Sequence, residues 1–362
     1  MKKILVAAGG TGGHLFPAIA VIEELKSRHK NNIDFEFFGR NDKIEGRVVP
    51  EMGYKLHSVN LTGISGNKIS LSTLTSIFNI IISVRKSIKI IKNSQIDAVL
   101  CAGAYLSISP GIAAKLCNKK LFLMESNVNL GKANRFLADR ADMIFTSFEE
   151  TQNIISHLDS KKIKFTGNPV RQSILAPQNR LEAIKKLNLK EDKPTVLIFG
   201  GSLGAKSINE AVLKHINNFV NTHYQVLWQC GDVHKFDISL PENIKLVNFI
   251  DDMAAAYAAA DLVVSRSGAT TVAELCVTGK PSILVPLPSA SNNEQMLNAK
   301  ILEKAGASVL INNSDINNKL FEVVDALILN SDKLDEMRKS ALKLANPDAS
   351  KFISDEIEKV LF

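Results

Sequence analysis

The chain has 362 residues, of which 45% are hydrophobic and 22% charged. That is enough for about two globular domains, each with a real core, and it excludes a disordered or fibrous protein. The net charge of +7 favours anionic partners such as phosphates or acidic lipid. The basic residues are spread along the chain, and one Trp and four Tyr leave few rings to stack on bases, so no nucleic acid is expected as a partner. Cys101, Cys117, Cys230 and Cys276 form no C-x-x-C pair and accompany no His cluster. They read as buried reduced thiols, and neither a disulfide nor a metal site is expected. Lys2 and Lys3 precede an apolar run that stops at Gly9, too short for a signal peptide. No run reaches the ~18 apolar residues of a membrane span. The expectation is a soluble cytoplasmic protein or one held peripherally at a membrane.

In chain order, short β-branched or apolar runs predict strands at 3–8, 34–38, 97–101, 120–124, 142–146 and 162–165. Helical patterns lie between them at 17–29, 71–92, 107–117, 131–139 and 148–156. Pro17 stands where a helix can begin. The motif Gly167-Asn168-Pro169-Val170-Arg171 interrupts this alternation and marks an interdomain linker near 166–172. The pattern then restarts, with strands at 195–199, 224–229, 244–247, 261–264, 282–285 and 308–310. A helix at 332–345 and a last helix at 349–361 follow, the latter with an apolar stripe of Phe352, Ile353, Ile357, Val360 and Leu361. Repeated strand–helix units imply an α/β protein with parallel sheets covered on both faces.

Two glycine turns stand out. Gly9-Gly10-Thr11-Gly12-Gly13 and Gly200-Gly201-Ser202-Leu203-Gly204 both read G-G-[ST]-x-G, and each joins a buried strand to a helix. Such a turn lets backbone N–H groups approach an anion. The first is not a dinucleotide fingerprint, because Leu15 stands where a small residue is required and Phe38-Gly39-Arg40 offers no ribose-binding acid. His14 follows the first turn directly and reads either as a general base or as a helix-terminal histidine bonded to the loop. Ser265-Arg266-Ser267-Gly268-Ala269-Thr270-Thr271-Val272-Ala273-Glu274 is a third strand-to-helix turn. Glu274 is placed to accept hydrogen bonds from the vicinal hydroxyls of a ribose; its competing role is to complement a helix dipole from the first turn. The amides of Asn292-Asn293-Glu294-Gln295 suit sugar hydroxyls or helix capping. In Phe249-Ile250-Asp251-Asp252-Met253, an aspartate reads as a cap before a metal ligand. The segment 77–92 combines apolar bulk with Arg85, Lys86, Lys89 and Lys92. It fits a crossover helix packed on the sheet whose outer face rests on an anionic bilayer.

Taken together, Gly9 to His14 with Phe16-Pro17, Gly167 to Arg171, Gly200 to Ala205, Phe249 to Met253, Arg266-Ser267-Gly268-Ala269 and Gln295-x-x-Asn298-Ala299 resemble the MurG family. These are the peripheral membrane N-acetylglucosaminyltransferases of peptidoglycan synthesis, in glycosyltransferase family 28. The resemblance implies a GT-B fold, with two Rossmann-like parallel-sheet domains facing a cleft. The N-terminal, acceptor- and membrane-facing domain would span 1–165 and the UDP-sugar domain 166–345, with a helix in 346–362 crossing back to the N-terminal domain. It implies transfer of N-acetylglucosamine from UDP-N-acetylglucosamine to the C4 hydroxyl of the muramoyl sugar of lipid I, giving lipid II and UDP with inversion. The work would be done peripherally at the cytoplasmic face of the bacterial inner membrane, without cofactor or metal.

Carried onto this chain, the donor contacts implied are Thr11, Gly12, Gly13, Asn127, Arg171, Ser202, Ile250, Ala269, Thr270, Thr271, Val272, Ala273, Glu274 and Gln295. Ile250 would lie against the uracil and Glu274 would hold the ribose. His14 is the candidate base. Gly103, Ala104, Tyr105 and Glu125 are the candidate acceptor contacts. The second glycine turn is then expected to cradle the donor diphosphate, and the first to serve the reacting sugar and the acceptor. Two departures fall on the acceptor side. Gly103-Ala104-Tyr105-Leu106-Ser107 replaces the family's G-G-Y-x-S, and Met124-Glu125-Ser126-Asn127 replaces H-E-Q-N. Competing readings are another GT-B UDP-sugar enzyme, including a sugar-nucleotide epimerase, and a basic nucleotide-binding module without catalysis.

Overall fold

The computed structural model describes residues 1–59, 71–201, 203–220, 222–231, 240–290 and 293–362, and the side chains of 71–78 lie outside that description. The chain divides into two compact units, Met1–Arg171 together with Asp348–Phe362, and Gln172–Pro347.

In the first unit, seven described strands form one sheet: β1 (Lys2–Ala7), β2 (Ile33–Gly39), β3 (Lys55–Ser58), β4 (Ala98–Cys101), β5 (Lys120–Glu125), β6 (Met143–Thr146) and β7 (Ile163–Phe165). They lie in the order β3-β2-β1-β4-β5-β6-β7. Every pairing is parallel, with Ile4 of β1 opposite Phe35 on one side and Ala98 on the other. Alternate residues feed two cores. Ile4, Val6, Phe35, Phe37, Leu100 and Phe122 pack under the helix Gly12–His29. Leu5, Ala7, Val99, Leu121 and Leu123 face the opposite layer, which holds Ile90, Ile91, Ala113 and Ala114. This two-sided burial is why the strands read as nearly continuous apolar runs.

The last helix, Ala349–Leu361, belongs to this unit and sets Ile353, Ile357 and Leu361 into the first core. Each such buried side chain contributes about 1.5–3 kcal/mol. Arg28 and His29 fasten the same helix through Asp355 and Glu358.

In the second unit, six described strands form another parallel sheet: β8 (Thr195–Phe199), β9 (Gln225–Gln229), β10 (Ile244–Val247), β11 (Leu262–Ser265), β12 (Ser282–Leu284) and β13 (Ser308–Leu310), in the order β10-β9-β8-β11-β12-β13. Trp228, Tyr224 and Phe219 pack in its core. Both units are therefore Rossmann-like α/β sheets whose strand order reverses beside the first strand, between β1 and β4 and between β8 and β11. Ligands of such sheets bind beyond the carboxyl ends of the strands at that switch point.

Several elements differ from expectation, among them the helices Ile44–Glu51 and Arg180–Lys186, which no expected element covers. The strand Lys55–Ser58 was not foreseen. It is a short, polar edge strand, which is how exposed edges avoid pairing with other chains. The first helix starts at Gly12, five residues before the expected start, and Pro17 sits inside it. Pro17 lies in the second turn, past the first-turn positions where proline is free of cost, so it removes one hydrogen bond from the helix.

Candidate active site

At the switch point of the first unit, β1 runs through Gly9 and Gly10 into the helix Gly12–His29, and Thr11 is the N-cap residue. The Thr11 carbonyl accepts from the N–H groups of His14 and Leu15, each at 3.3 Å. Next door, Ala102 follows β4 and its N–H bonds the Ala7 carbonyl at 3.0 Å. Its own carbonyl lies 2.8 Å from His14 Nδ1. A carbonyl only accepts, so Nδ1 carries the proton of the neutral ring and Nε2 carries the lone pair. Burial pushes the His14 pKa below its ordinary value, partly opposed by the Ala102 carbonyl. A ring neutral near pH 7 with Nε2 as its acceptor is equipped to take a proton.

Gly103 comes next, at φ +87°. A Cβ there would stand 3.1 Å from His14 Nδ1 and 3.8 Å from Asn134 Nδ2, so glycine is what lets this turn approach the histidine. Ala104 sits at φ +56°, ψ 166°, a region that glycine alone occupies without strain. The conformation costs of the order of 1–3 kcal/mol. The departure from the family's second glycine is thus borne by the backbone. Tyr105 accepts on its hydroxyl from Arg40 Nη1 at 3.2 Å, which ties the turn after β4 to the end of β2.

Glu45 carries no functional signal in the sequence. It is fully buried, and its carboxylate accepts from the N–H of Gly10 at 2.9 Å and of Arg40 at 3.0 Å. A donor of the first glycine turn is therefore already spent on an internal anion, whose charge opposes a phosphate at that point. Nothing local marks it, since it lies 35 residues from Gly10 in an ordinary helix, Ile44–Glu51.

Glu125 is also buried, and its carboxylate brackets a loop. It accepts from Asn127 N at 3.0 Å, Gly131 N at 2.9 Å and Asn134 Nδ2 at 2.9 Å. It thereby holds Asn127 in place. Arg171, at the end of the unit, lays its guanidinium 4.3 Å from the centre of the Phe16 ring, one turn beyond Gly12. His14, Gly103 and the Glu125–Asn127 loop are thus brought together in this unit, with Tyr105 and Arg171 tied in through Arg40 and Phe16.

At the switch point of the second unit, the turn Gly200–Gly204 follows β8. Gly204 lies at φ +78°, and a Cβ there would collide with the Cys230 carbonyl. Gln229, buried at the end of β9, donates from Nε2 to the Gly201 carbonyl at 2.9 Å and accepts on Oε1 from the Ile250 N–H at 2.8 Å. This amide, also without a functional signal in the sequence, joins the glycine turn to the Ile250 loop and occupies the Ile250 N–H. Ser202 and Asn292 lie outside the described residues.

Ala269, Thr270, Thr271, Val272, Ala273 and Glu274 are the first six residues of the helix Ala269–Val277, whose N-cap is Gly268. The first N–H groups of a helix lack an intrahelical acceptor, and that end carries positive partial charge. Glu274 is in the second turn rather than the first, beyond the reach of a strong dipole effect. It is buried and accepts from the Tyr257 hydroxyl at 2.9 Å.

Arg266 donates to the carbonyls of Val285 and Pro286, to Asn313 Oδ1 and to Ser207 Oγ. Burial pulls its pKa below the usual arginine value. Ser267 Oγ donates to the Gln295 carbonyl, Gln295 Oε1 accepts from Leu287 N, and Asn298 Nδ2 donates to the Ser267 carbonyl. Among the described residues, Gln229 links Gly201 to Ile250, Tyr257 links the helix after Ile250 to Glu274, and Ser267 links the 265–274 turn to Gln295. Asp252 is the N-cap of the helix Met253–Ala259, accepting from Ala255 N, which is the capping role expected of this aspartate pair.

The helix Leu71–Asn93 covers the sheet with Ile90 and Ile91. Its outer face exposes Ile81, Ile82, Arg85, Lys86, Lys89 and Lys92. Among the described residues no helix is long and apolar enough to cross a membrane.

Comparison with known proteins places the chain in a family. Residues 4–146 match the glycosyltransferase family 28 N-terminal domain and residues 195–353 its C-terminal domain. The UDP-N-acetylglucosamine–N-acetylmuramyl-(pentapeptide) pyrophosphoryl-undecaprenol N-acetylglucosamine transferase of Flavobacterium psychrophilum is 35% identical, over 99% of this chain and 98% of its own. The enzyme of that name from Myxococcus xanthus is 36% identical, over 98% of this chain and 92% of its own. Among solved structures, Acinetobacter baumannii MurG superposes with a TM-score of 0.74 at 28% identity, covering 99% of this chain and all of that one. With both family domains matched in order and full-length relatives at this identity, the chain belongs to glycosyltransferase family 28.

Proposed function

We propose that the chain transfers N-acetylglucosamine from UDP-N-acetylglucosamine to the C4 hydroxyl of the N-acetylmuramoyl-pentapeptide of lipid I, giving lipid II and UDP. Relatives named for this transferase match it end to end. The observation that carries the chemistry in this chain is the His14–Ala102 hydrogen bond, which leaves a neutral imidazole with Nε2 as its proton acceptor.

The first unit acts as the acceptor-binding unit and the second as the UDP-sugar unit. His14 Nε2 takes the proton of the C4 hydroxyl as that oxygen bonds to the anomeric carbon. The bond from that carbon to the diphosphate oxygen breaks, and the electron pair leaves with UDP. A single in-line displacement through an oxocarbenium-like state inverts the centre, so the α-linked donor sugar becomes β-linked. Charge growing on UDP is met by N–H donors of the 200–204 turn, by Ser202 and by the helix N-terminus at Ala269–Thr271. Glu274 holds the ribose. Ile250 lies against the uracil and offers its carbonyl to the base edge, since its N–H already donates to Gln229.

Thr11, Gly12, Gly13, Asn127, Arg171 and Gln295 complete the donor contacts. Gly103, Ala104 and Tyr105 face the acceptor, and Glu125 acts through the loop it brackets. The exposed Ile81–Ile82 pair beside Arg85, Lys86, Lys89 and Lys92 suits peripheral docking on the anionic cytoplasmic face of the inner membrane, where lipid I resides. Incubation with UDP-N-acetylglucosamine and a lipid I analogue tests the reading. An acceptor heavier by one N-acetylhexosamine residue, with UDP released in equal amount, is expected. Consumption of the sugar nucleotide without any change in acceptor mass refutes it.

A further inference from the structure

Glu274 is only 6% exposed and Tyr257 only 1%. The Tyr257 hydroxyl donates to Glu274 Oε2 at 2.9 Å. Tyr257 belongs to the helix Met253–Ala259, which begins directly after the Ile250 loop. Its ring meets Phe199 edge-on, with 6.3 Å between centroids and 72° between planes, and Phe199 is the last residue before Gly200. One buried ring therefore contacts Glu274 through its hydroxyl, the phosphate turn through Phe199 and the base loop through its own helix.

We propose that Tyr257 is a positioning residue that fixes the Glu274 carboxylate and so sets the preference of the site for a ribonucleotide over a 2′-deoxyribonucleotide. This rests on the reading of Glu274 as the ribose contact. A carboxylate end rotates over a broad range. A hydrogen bond to one oxygen holds it in a single orientation before the nucleotide arrives, so less ordering remains to be done on binding. A site that presents a fixed buried acceptor to a hydroxyl rejects an analogue lacking that hydroxyl, because the acceptor is left unmatched. Without the Tyr257 bond one restraint on the carboxylate's orientation is lost, and the penalty for a missing hydroxyl shrinks.

The test compares the affinities of the full chain for UDP and 2′-deoxy-UDP by titration calorimetry, in the parent, Tyr257→Phe, Glu274→Gln, Glu274→Ala and the Tyr257→Phe/Glu274→Gln double variant. Tyr257→Phe removes one oxygen and keeps the ring against Phe199. It is expected to lower the UDP to 2′-deoxy-UDP discrimination several-fold, on a scale of about tenfold for a hydrogen bond to a charged group. KM for UDP-N-acetylglucosamine should rise with kcat little changed. The double variant should lose less than the product of the two single losses, since both remove one interaction. Discrimination that survives in Tyr257→Phe but falls in Glu274→Ala overturns the role of Tyr257 and leaves Glu274 on the ribose. Discrimination that survives in Glu274→Ala overturns the ribose contact itself and the proposal with it.

Discussion

His14 Nδ1 lies 2.8 Å from the carbonyl oxygen of Ala102, and this one contact determines which ring nitrogen accepts a proton. It also joins the helix after β1 to the turn after β4. His14→Ala should lower kcat by about 100- to 10,000-fold, the range of a positioned general base, while UDP affinity changes little. Steady-state kinetics beside calorimetry of UDP binding check this, and an unchanged kcat removes His14 as the base.

The direction of its pKa shift gives a pH prediction. The base works only when neutral. Burial lowers the His14 pKa from its ordinary 6.5, so the acid limb of kcat/KM should have its midpoint below pH 6.5. A limb with a midpoint above 6.5 contradicts the buried-imidazole account.

Ala104→Gly relieves a conformation that only glycine adopts without strain. The gain of about 1–3 kcal/mol is reduced by the ~0.4–1 kcal/mol that glycine adds to the freedom of the unfolded chain. A net stabilisation of about 1 kcal/mol is expected from urea unfolding. A loss of stability contradicts the strain reading.

Glu45→Gln keeps the shape but turns an NH2 group toward one of two backbone N–H donors, those of Gly10 and Arg40. Leaving one part-buried amide unsatisfied costs about 1 kcal/mol, the low end of the range for buried groups. The turn that launches the His14 helix should loosen, so kcat falls together with the unfolding midpoint. An unaltered midpoint means that the carboxylate is not what holds the turn.

For the outer face of Leu71–Asn93, Arg85, Lys89 and Lys92 are the informative changes, because Lys86 already donates to the Ser58 carbonyl. Replacing those three by Gln should weaken binding to anionic vesicles by about 3 kcal/mol, at ~1 kcal/mol for each basic residue. Binding to neutral vesicles should change far less. Equal loss on both kinds of vesicle points to misfolding rather than to lost charge.

Much of the fold was legible because its strands are buried on both faces, so runs such as Ile4-Leu5-Val6-Ala7 and Val196-Leu197-Ile198-Phe199 carry the signal within a few residues. The glycine turns were legible for the same reason: strand, turn and helix are contiguous. What escaped depends on distant partners or on an edge environment. Lys55-Leu56-His57-Ser58 has no apolar run to announce a strand. Glu45, Gln229 and Tyr257 look ordinary in sequence and gain their roles only when folding sets them against Gly10, Gly201 and Glu274. The start of the first helix was misplaced because Pro17 suggests a boundary, whereas the N-cap is Thr11. The two glycine turns look alike in sequence, but in the folded chain the Glu45 carboxylate accepts from Gly10 in the first, whereas the Gln229 amide donates to the Gly201 carbonyl in the second.

Inverting transfer to the C4 hydroxyl is recorded in the linkage of the product. NMR assignment of the disaccharide formed from UDP-N-acetylglucosamine and a lipid I analogue should show a β linkage to C4 of the muramoyl sugar. An α linkage, or attachment at any other hydroxyl, would contradict the account.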